Sequence, residues 1–345
     1  MKDIWDSLKD THKKIILYGM GNGADKIISE LERLGIAVHG IMASDDFVRG
    51  QTFHGFTVKK LADFPKDIII LTAFGSQRND VIEHILSLSE KYTLFAPDVP
   101  VYGNHIFNHA FYEQNKTKIN KVFDILADDF SKKVLENEIN FKLTGNINYL
   151  TEIFTDKDEI FRILNLTEKE SYLDLGAYRG DTIQEFLHYT NGSYRHITAL
   201  EPDKKTFKKL KDYAKTLDNI QLWNMGIWNH DGYVNFADST GRGSSINSTG
   251  TQKLAVTKID TLFQIQRVSY IKIDVEGAEL QALKGGTDTL KRDKPKLNIA
   301  LYHRSEDIFT LPLLIHDINP NYRLYLRQHP HIPAWDLNLY GIHNS

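Results

Sequence analysis

The 345-residue sequence contains no cysteine. Disulfides, thiolate nucleophiles and cysteine-based zinc sites are therefore excluded, and only His, Asp and Glu remain as metal donors. A surplus of either charge is missing as well: 42 Lys and Arg face 45 Asp and Glu, for a net charge of -3. With no cationic surplus and no evident basic patch, nucleic acid is not an expected partner. No apolar run reaches the roughly 18 residues of a membrane span, and the charged, amphipathic start from Met1 to Lys13 does not read as a signal peptide. The expectation is a soluble, cytoplasmic protein. What the chain does have is 41% hydrophobic residues, with 18 Phe and 16 Tyr, enough for real cores. At about 150 residues per domain, two domains are expected.

Two strand-turn-helix beginnings divide the sequence. The first, "KKIILYGMGNGADKIISELERLG", runs from a β-rich stretch through glycines into Ile27, Ile28, Leu31 and Leu34 at helical spacing. Further strands near Ala37 to Met42 and in "DIIILTAF", with helices at "VKKLADF" and "QRNDVIEHILSLS", predict a small parallel, Rossmann-like domain over residues 1–100. Residues 101–168 are Asn- and Lys-rich with apolar residues at mostly helical intervals, and read as a helical connector. A second alternating series fills residues 169–345, from "SYLDLGAYRGDT" to "DLNLYGI".

The second series carries the stronger chemical signal. In "YLDLGAYRGDT" a strand ends at Asp174 and Leu175, Gly176 permits a tight turn, and Gly180 precedes a helix opening with Asp181 and Thr182. Such a turn, through Ala177 and Tyr178, brings backbone close to a ligand, and Asp174 can accept from a cationic amino group. One strand later, "ALEPD" places Glu201 at a strand end beside Pro202 and Asp203, where a carboxylate accepts both hydroxyls of a ribose. An NAD site would also use such an acid, but its fingerprint is G-x-G-x-x-G, and this turn has fewer glycines. A nucleoside without a pyrophosphate fits better, and S-adenosyl-L-methionine is one. The segment Asn224, Met225, Gly226 would border the adenine. A third strand, in "YIKIDVEGAELQALKGG", brings Asp274 and Glu276 to the same crevice. Taken singly, Asp174 or Glu201 reads equally as a helix cap, and Glu279 as a helix start.

Through "DLGAYRGDT", "ALEPD" and above all "IKIDVEGAELQALKGG", residues 170 to 345 resemble the FkbM-type S-adenosylmethionine-dependent methyltransferases. The resemblance implies a class I methyltransferase fold, a seven-stranded, mainly parallel sheet with an antiparallel last strand. It also implies methyl transfer to a hydroxyl, often of a sugar or a polyketide-type product. The connector and the preceding Rossmann-like domain look like an arrangement found in part of that family. The family commonly has Asn where this chain has Tyr178, so the backbone role of the turn carries over and that side chain's contact does not.

Methyl transfer to an alcohol needs in-line positioning and a general base within hydrogen-bond reach. Asp274, Glu276 and His303 are the candidates, His303 ending the strand "KLNIALYH", with Arg304 beside it to hold an anionic acceptor. His303 reads equally as a surface or capping histidine, and His329 and His331 as pocket borders or turn residues. These residues show no decisive metal-ligand spacing, and no metal is assigned. The Gly/Ser/Thr-rich stretch 239–253 reads as a lid or a linker. In the first domain, "GMGNGA" satisfies G-x-G-x-x-A through Gly19, Gly21 and Ala24, with Asp45 after the next strand. Nucleotide-sugar or NAD binding there, a packing role, and a non-catalytic binding protein with a degenerate cofactor site are the competing readings. The expected partner is a small-molecule or glycan hydroxyl acceptor; self-association as a homo-oligomer is left open.

Overall fold

The structure is a computed structural model describing residues 2–237, 245–246 and 252–343. The expected lid or linker, 239–253, thus falls largely outside the described residues. The chain divides into two compact units: Met1–Thr117, Lys132–Thr155 and Gln328–Leu337 form the first; Lys118–Ser131, Asp156–Arg327 and Asn338–Ser345 form the second. The segment read as a connector is shared between them. No described helix is long and apolar enough to cross a membrane.

The first unit is built on four parallel strands, β1 (Lys14–Tyr18), β2 (Gly40–Met42), β3 (Ile68–Thr72) and β4 (Thr93–Phe95), in the order β2-β1-β3-β4. Helix α1 (Asn22–Arg33) follows β1 through Gly19 and Gly21, both with positive φ, and packs Ala24, Ile27, Ile28 and Leu31 against Leu17 and Leu71. Helix α2 (Asn79–Ser89) covers the other face with Ile82 and Ile85, which meet Ile16 and Ile70. The helix expected at "VKKLADF" is only a 3-10 turn, Leu61–Asp63. Pro65 follows Phe64, and a residue before proline is driven out of the helical region, so the turn cannot extend. Helices α3 (His109–Ile125) and α4 (Asp129–Thr144) follow.

The second unit holds a seven-stranded sheet. Helix α5 (Lys157–Leu164) leads into β5 (Ser171–Leu175), α6 (Asp181–Tyr189), β6 (His196–Leu200), α7 (Lys204–Ala214) and β7 (Ile220–Trp223). After a small side sheet with antiparallel strands Gly232–Ala237 and Gln252–Thr257 come β8 (Tyr270–Ile273), α8 (Glu279–Lys284), β9 (Lys296–Ala300), α9 (Asp307–Ile318), β10 (Tyr322–Gln328) and β11 (Leu337–His343). Their order is β10-β11-β9-β8-β5-β6-β7, with β11 antiparallel to β9. This is the mainly parallel sheet with an antiparallel last strand that the resemblance implies. All residues of β5 and β8 are buried, as expected for parallel strands covered on both faces.

A second local expectation fails here. The single helix read across "GAELQALKGGTDTL" is two, α8 and Thr287–Asp293, broken at Gly285 and Gly286. A Cβ on Gly285 would lie 2.3 Å from the Trp228 carbonyl oxygen, so the break is where the chain passes the side sheet. Arg327, 1% exposed, anchors the end of β10: it donates to Asp128 at 2.8 Å and to Glu159 at 2.9 Å.

Candidate functional site

From β5 the chain proceeds outward through β6 and β7, and from β8 it proceeds outward the other way. The carboxyl ends of β5 and β8 therefore flank the point where strand order reverses, which is where open α/β sheets form a ligand crevice. Register pairs Asp174 with Lys272 and Leu175 with Ile273, so the turn after β5 and the segment after β8 leave the sheet side by side. They are close enough that a Cβ on Gly176, where φ is 84°, would lie 1.9 Å from the Asp274 carbonyl oxygen. Only glycine fits there.

The turn itself is held by backbone bonds. Gly176 and Ala177 donate their N–H groups to the Leu200 carbonyl at 3.1 and 3.0 Å, and Gly180 donates to Ala177 at 2.8 Å. Tyr178 adopts a left-handed φ of 45°, which points its N–H at Glu201 Oε2, 3.0 Å away. Glu201 Oε1 accepts from the Asp203 N–H at 2.8 Å. Glu201 is therefore not the cap of α7: Asp203 is, accepting from Thr206 N–H at 2.7 Å. Burial pushes the Glu201 carboxyl up to about 7, against the pull of those two N–H donors.

Asp174 is fully buried, and burial pushes its carboxyl up to about 6 against the Lys272 ammonium and the Thr182 hydroxyl. Thr182, in the first turn of α6, donates to Asp174 Oδ2, while Oδ1 has no hydrogen-bond partner. A buried carboxylate oxygen left without a donor is costly. Asp181 is exposed at the start of α6. At the expected adenine border, Asn224 is occupied with the protein: its amide donates to the carbonyls of Glu201 and Pro202 at 2.9 and 3.0 Å. It holds the β6 and β7 ends together, and Met225 and Gly226 follow it into the side sheet.

At the ends of β8 and β9 the structure gathers more charge than the sequence showed. Asp274 Oδ2 is 3.2 Å from Lys272 Nζ, and Asp274 Oδ1 accepts from the Tyr302 hydroxyl at 3.2 Å. Burial opposes ionisation of Asp274, but Lys272 and His303 hold its carboxyl below the usual value. Burial would likewise lower Lys272, yet Asp274 and Asp174 outweigh it and hold the ammonium above its ordinary range. His303 is no surface histidine: it is 1% exposed. Its Nδ1 lies 2.9 Å from Glu279 Oε1, and its Nε2 lies 3.5 Å from Asp274 Oδ1 and 3.6 Å from Glu276 Oε2. Burial would lower the imidazole, but Glu279, Asp274 and Glu276 push it up to about 10. In this environment it is an imidazolium, a donor rather than a base.

Glu279 was legible in the sequence only as a helix start. It is fully buried, and its Oε1 also accepts from Val275 N–H at 2.9 Å and Gly277 N–H at 3.3 Å. One carboxylate thus fixes both the turn bearing Glu276, whose φ is 52°, and the ring of His303. Arg304 donates Nε–H to the Gly277 carbonyl at 2.8 Å and so braces the same turn. Asp307, 2% exposed, accepts from Arg304 N–H, and burial followed by the Glu279 charge drives its carboxyl well above the usual range. His329 and His331 are placed in the first unit, buried beside the carbonyls of Thr155 and Pro333 at 2.8 and 2.7 Å. They are part of that unit's own packing.

A crystal structure of a methyltransferase FkbM from Methylobacillus flagellatus matches with a TM-score of 0.73 at 22% identity, over 95% of this chain and 90% of that one. Weaker likenesses cover about half of this chain. An rRNA methylase from Streptococcus thermophilus has a TM-score of 0.36 at 14% identity, over 55% of this chain and 95% of that one. Fibrillarin from Aeropyrum pernix, in complex with S-adenosyl-L-methionine, has a TM-score of 0.35 at 13% identity, over 54% and 74%. No curated protein matches the sequence. Residues 174–335 match the family model of the methyltransferase FkbM domain, a span that contains the acidic ends of β5, β6 and β8 and His303, which lies just beyond β9 rather than in it. Residues 174–335 thus match the FkbM methyltransferase domain, and the chain shares the fold of the Methylobacillus flagellatus structure.

Proposed function

We propose that the protein transfers a methyl group from S-adenosyl-L-methionine to a hydroxyl of a sugar or glycan precursor. The observation that carries this reading is that three adjacent strands, β6, β5 and β8, each end in an acid, Glu201, Asp174 and Asp274, around a turn that only glycine can make. The residues fit the donor. Asp174 Oδ1 is a buried acceptor without a partner, suited to the amino group; Glu201 suits the ribose hydroxyls; and the turn from Gly176 to Gly180 admits the methionine end against backbone. When bound, the donor supplies a methyl on a sulfonium, whose C–S electrons leave with sulfur as a neutral thioether.

The chain's own part is to hold the acceptor oxygen in line and to take its proton. Asp274 and Glu276 border the acceptor side, Asp274 kept ionised by Lys272 and His303. The Asp274 carboxylate is in a state to receive the hydroxyl proton, and Glu276 lies on the same side of His303. His303, held protonated, aims Nε2–H between them and would hold the acceptor oxygen as a donor. The sugar class rests on the family resemblance. Mass spectrometry of sugar and glycan intermediates after incubation with isotope-labelled donor should show one labelled methyl on a hydroxyl, with the rate cut at least tenfold in Asp274→Asn. Label on a nitrogen, or on no acceptor, would defeat the hydroxyl reading.

A further inference from the structure

We infer that Lys272 is a positioning residue that couples the two halves of the site: one ammonium serves both Asp174, assigned to the donor amino group, and Asp274, assigned to the acceptor proton, and filling the donor site commits it to Asp274. The inference rests on the methyl-transfer reading. Lys272 lies on β8, 8% exposed, with Asp174 as its register partner on β5 and Asn298 on β9. Register partners on adjacent parallel strands project from one face of the sheet, so these three side chains share a face. Asp274 Oδ2 is 3.2 Å from Lys272 Nζ. An ammonium has three N–H donors, and that contact takes one. On the shared face, Asp174 Oδ1 and Asn298 Oδ1 are both buried without a hydrogen-bond partner.

The charge balance makes this ammonium a shared one. Burial raises both carboxyls, and for each of them Lys272 is the strongest pull the other way. The other charges facing the group provide no substitute. Glu185 on α6 also attracts Lys272, but it is bonded to Lys157 at 2.6 Å. Asp181, at the start of α6, adds negative charge beside Asp174. His303, the second cation at Asp274, stays 3.5 Å away and is bonded to Glu279 at 2.9 Å. The phenols of Tyr172 and Tyr270, near Asp174, are held neutral, foremost by burial. A donor ammonium at Asp174 takes over that carboxylate and repels Lys272, which then rests wholly on Asp274 and deepens its ionisation. Such coupling is reciprocal, so an ionised Asp274 must in turn favour donor binding, by drawing Lys272 off Asp174. The proton acceptor is thereby readied as the methyl donor arrives.

The test is calorimetric titration of the full-length chain with S-adenosyl-L-methionine. Asp274→Asn should weaken donor binding at least about threefold at about pH 7.5, although Asp274 is not assigned to the donor, because Lys272 then competes for Asp174. The same variant should lose the roughly fourfold share that Asp174 contributes to the pH dependence between about pH 5.5 and 7.5, since an undivided ammonium keeps that carboxyl ionised. Lys272→Met should enlarge that share to at least about tenfold, and Lys272→Arg, which keeps the charge, should restore it. A purely structural role would lower affinity without moving this slope. In the Lys272→Met background, Asp274→Asn should have no further effect. Unchanged affinity or slope in Asp274→Asn, or its full effect persisting in that background, would overturn the inference. No binding to the wild type defeats the methyl-transfer reading itself, and the inference with it.

Discussion

Donor affinity should depend steeply on acidity, because the two carboxylates assigned to S-adenosyl-L-methionine are hard to ionise. Burial sets Glu201 at about 7 and Asp174 at about 6. If both must be ionised to bind, the competent fraction falls with each proton taken up. At about pH 7.5 roughly three quarters of molecules have both charges; at about pH 5.5 Glu201 is ionised in roughly one molecule in thirty and Asp174 in roughly one in four. The dissociation constant should therefore rise about a hundredfold between those pH values, or roughly 3 kcal/mol. Glu201→Gln provides the control: affinity drops at about pH 7.5, and only the share due to Asp174 remains, about fourfold over the same interval. Isothermal titration calorimetry in two buffers of different ionisation enthalpy would show proton release on binding near neutrality in the wild type. A flat affinity across this interval, or the full slope surviving in Glu201→Gln, would refute the assignment.

Two further consequences concern packing. Gly176→Ala puts a methyl 1.9 Å from the Asp274 carbonyl at a φ that alone costs about 1–2 kcal/mol, so it should lower Tm and weaken donor binding together; wild-type behaviour in both would contradict the close approach of β5 and β8. Glu138, fully buried on α4 with neither oxygen hydrogen-bonded, has a carboxyl pushed by burial up to about 8 in the folded chain. A raised folded-state value means stability present below the ordinary carboxyl range and lost as pH climbs toward 8, by several kcal/mol in total. Glu138→Gln cannot ionise, so it should lack the decline in Tm that the wild type shows between about pH 4.5 and 8; a variant that tracks the wild type across this range would show that the charge is otherwise compensated.

The fold was readable where strands and helices alternate with clean punctuation. "YLDLGAYRGDT" announces a buried strand, a glycine turn and a helix, and "ALEPD" ends a strand at proline, because these signals are local. The acidic ends at Asp174, Glu201 and Asp274 followed from the strand ends alone. What was not readable depends on residues brought together by the sheet. Glu279 and His303 lie on different elements and meet only because β8 and β9 are neighbours. Lys272 balances Asp174 only through the register of β5 and β8. The sequence also gave no warning that Asn224 would be spent on Glu201 and Pro202 carbonyls, or that His329 and His331 belong to the first unit. The break at Gly285 and Gly286 did leave a signal, the Gly-Gly pair within an otherwise helical pattern.

The central claim is that the crevice between β5 and β8 binds S-adenosyl-L-methionine, and not that the Gly19 to Ala24 turn of the first unit makes this an NAD protein. Calorimetric titration of the full chain with each ligand at about pH 7.5 tests it directly. The account predicts one S-adenosyl-L-methionine per chain, lost or much weakened in Glu201→Gln. Clear binding of NAD with no heat from S-adenosyl-L-methionine would contradict it.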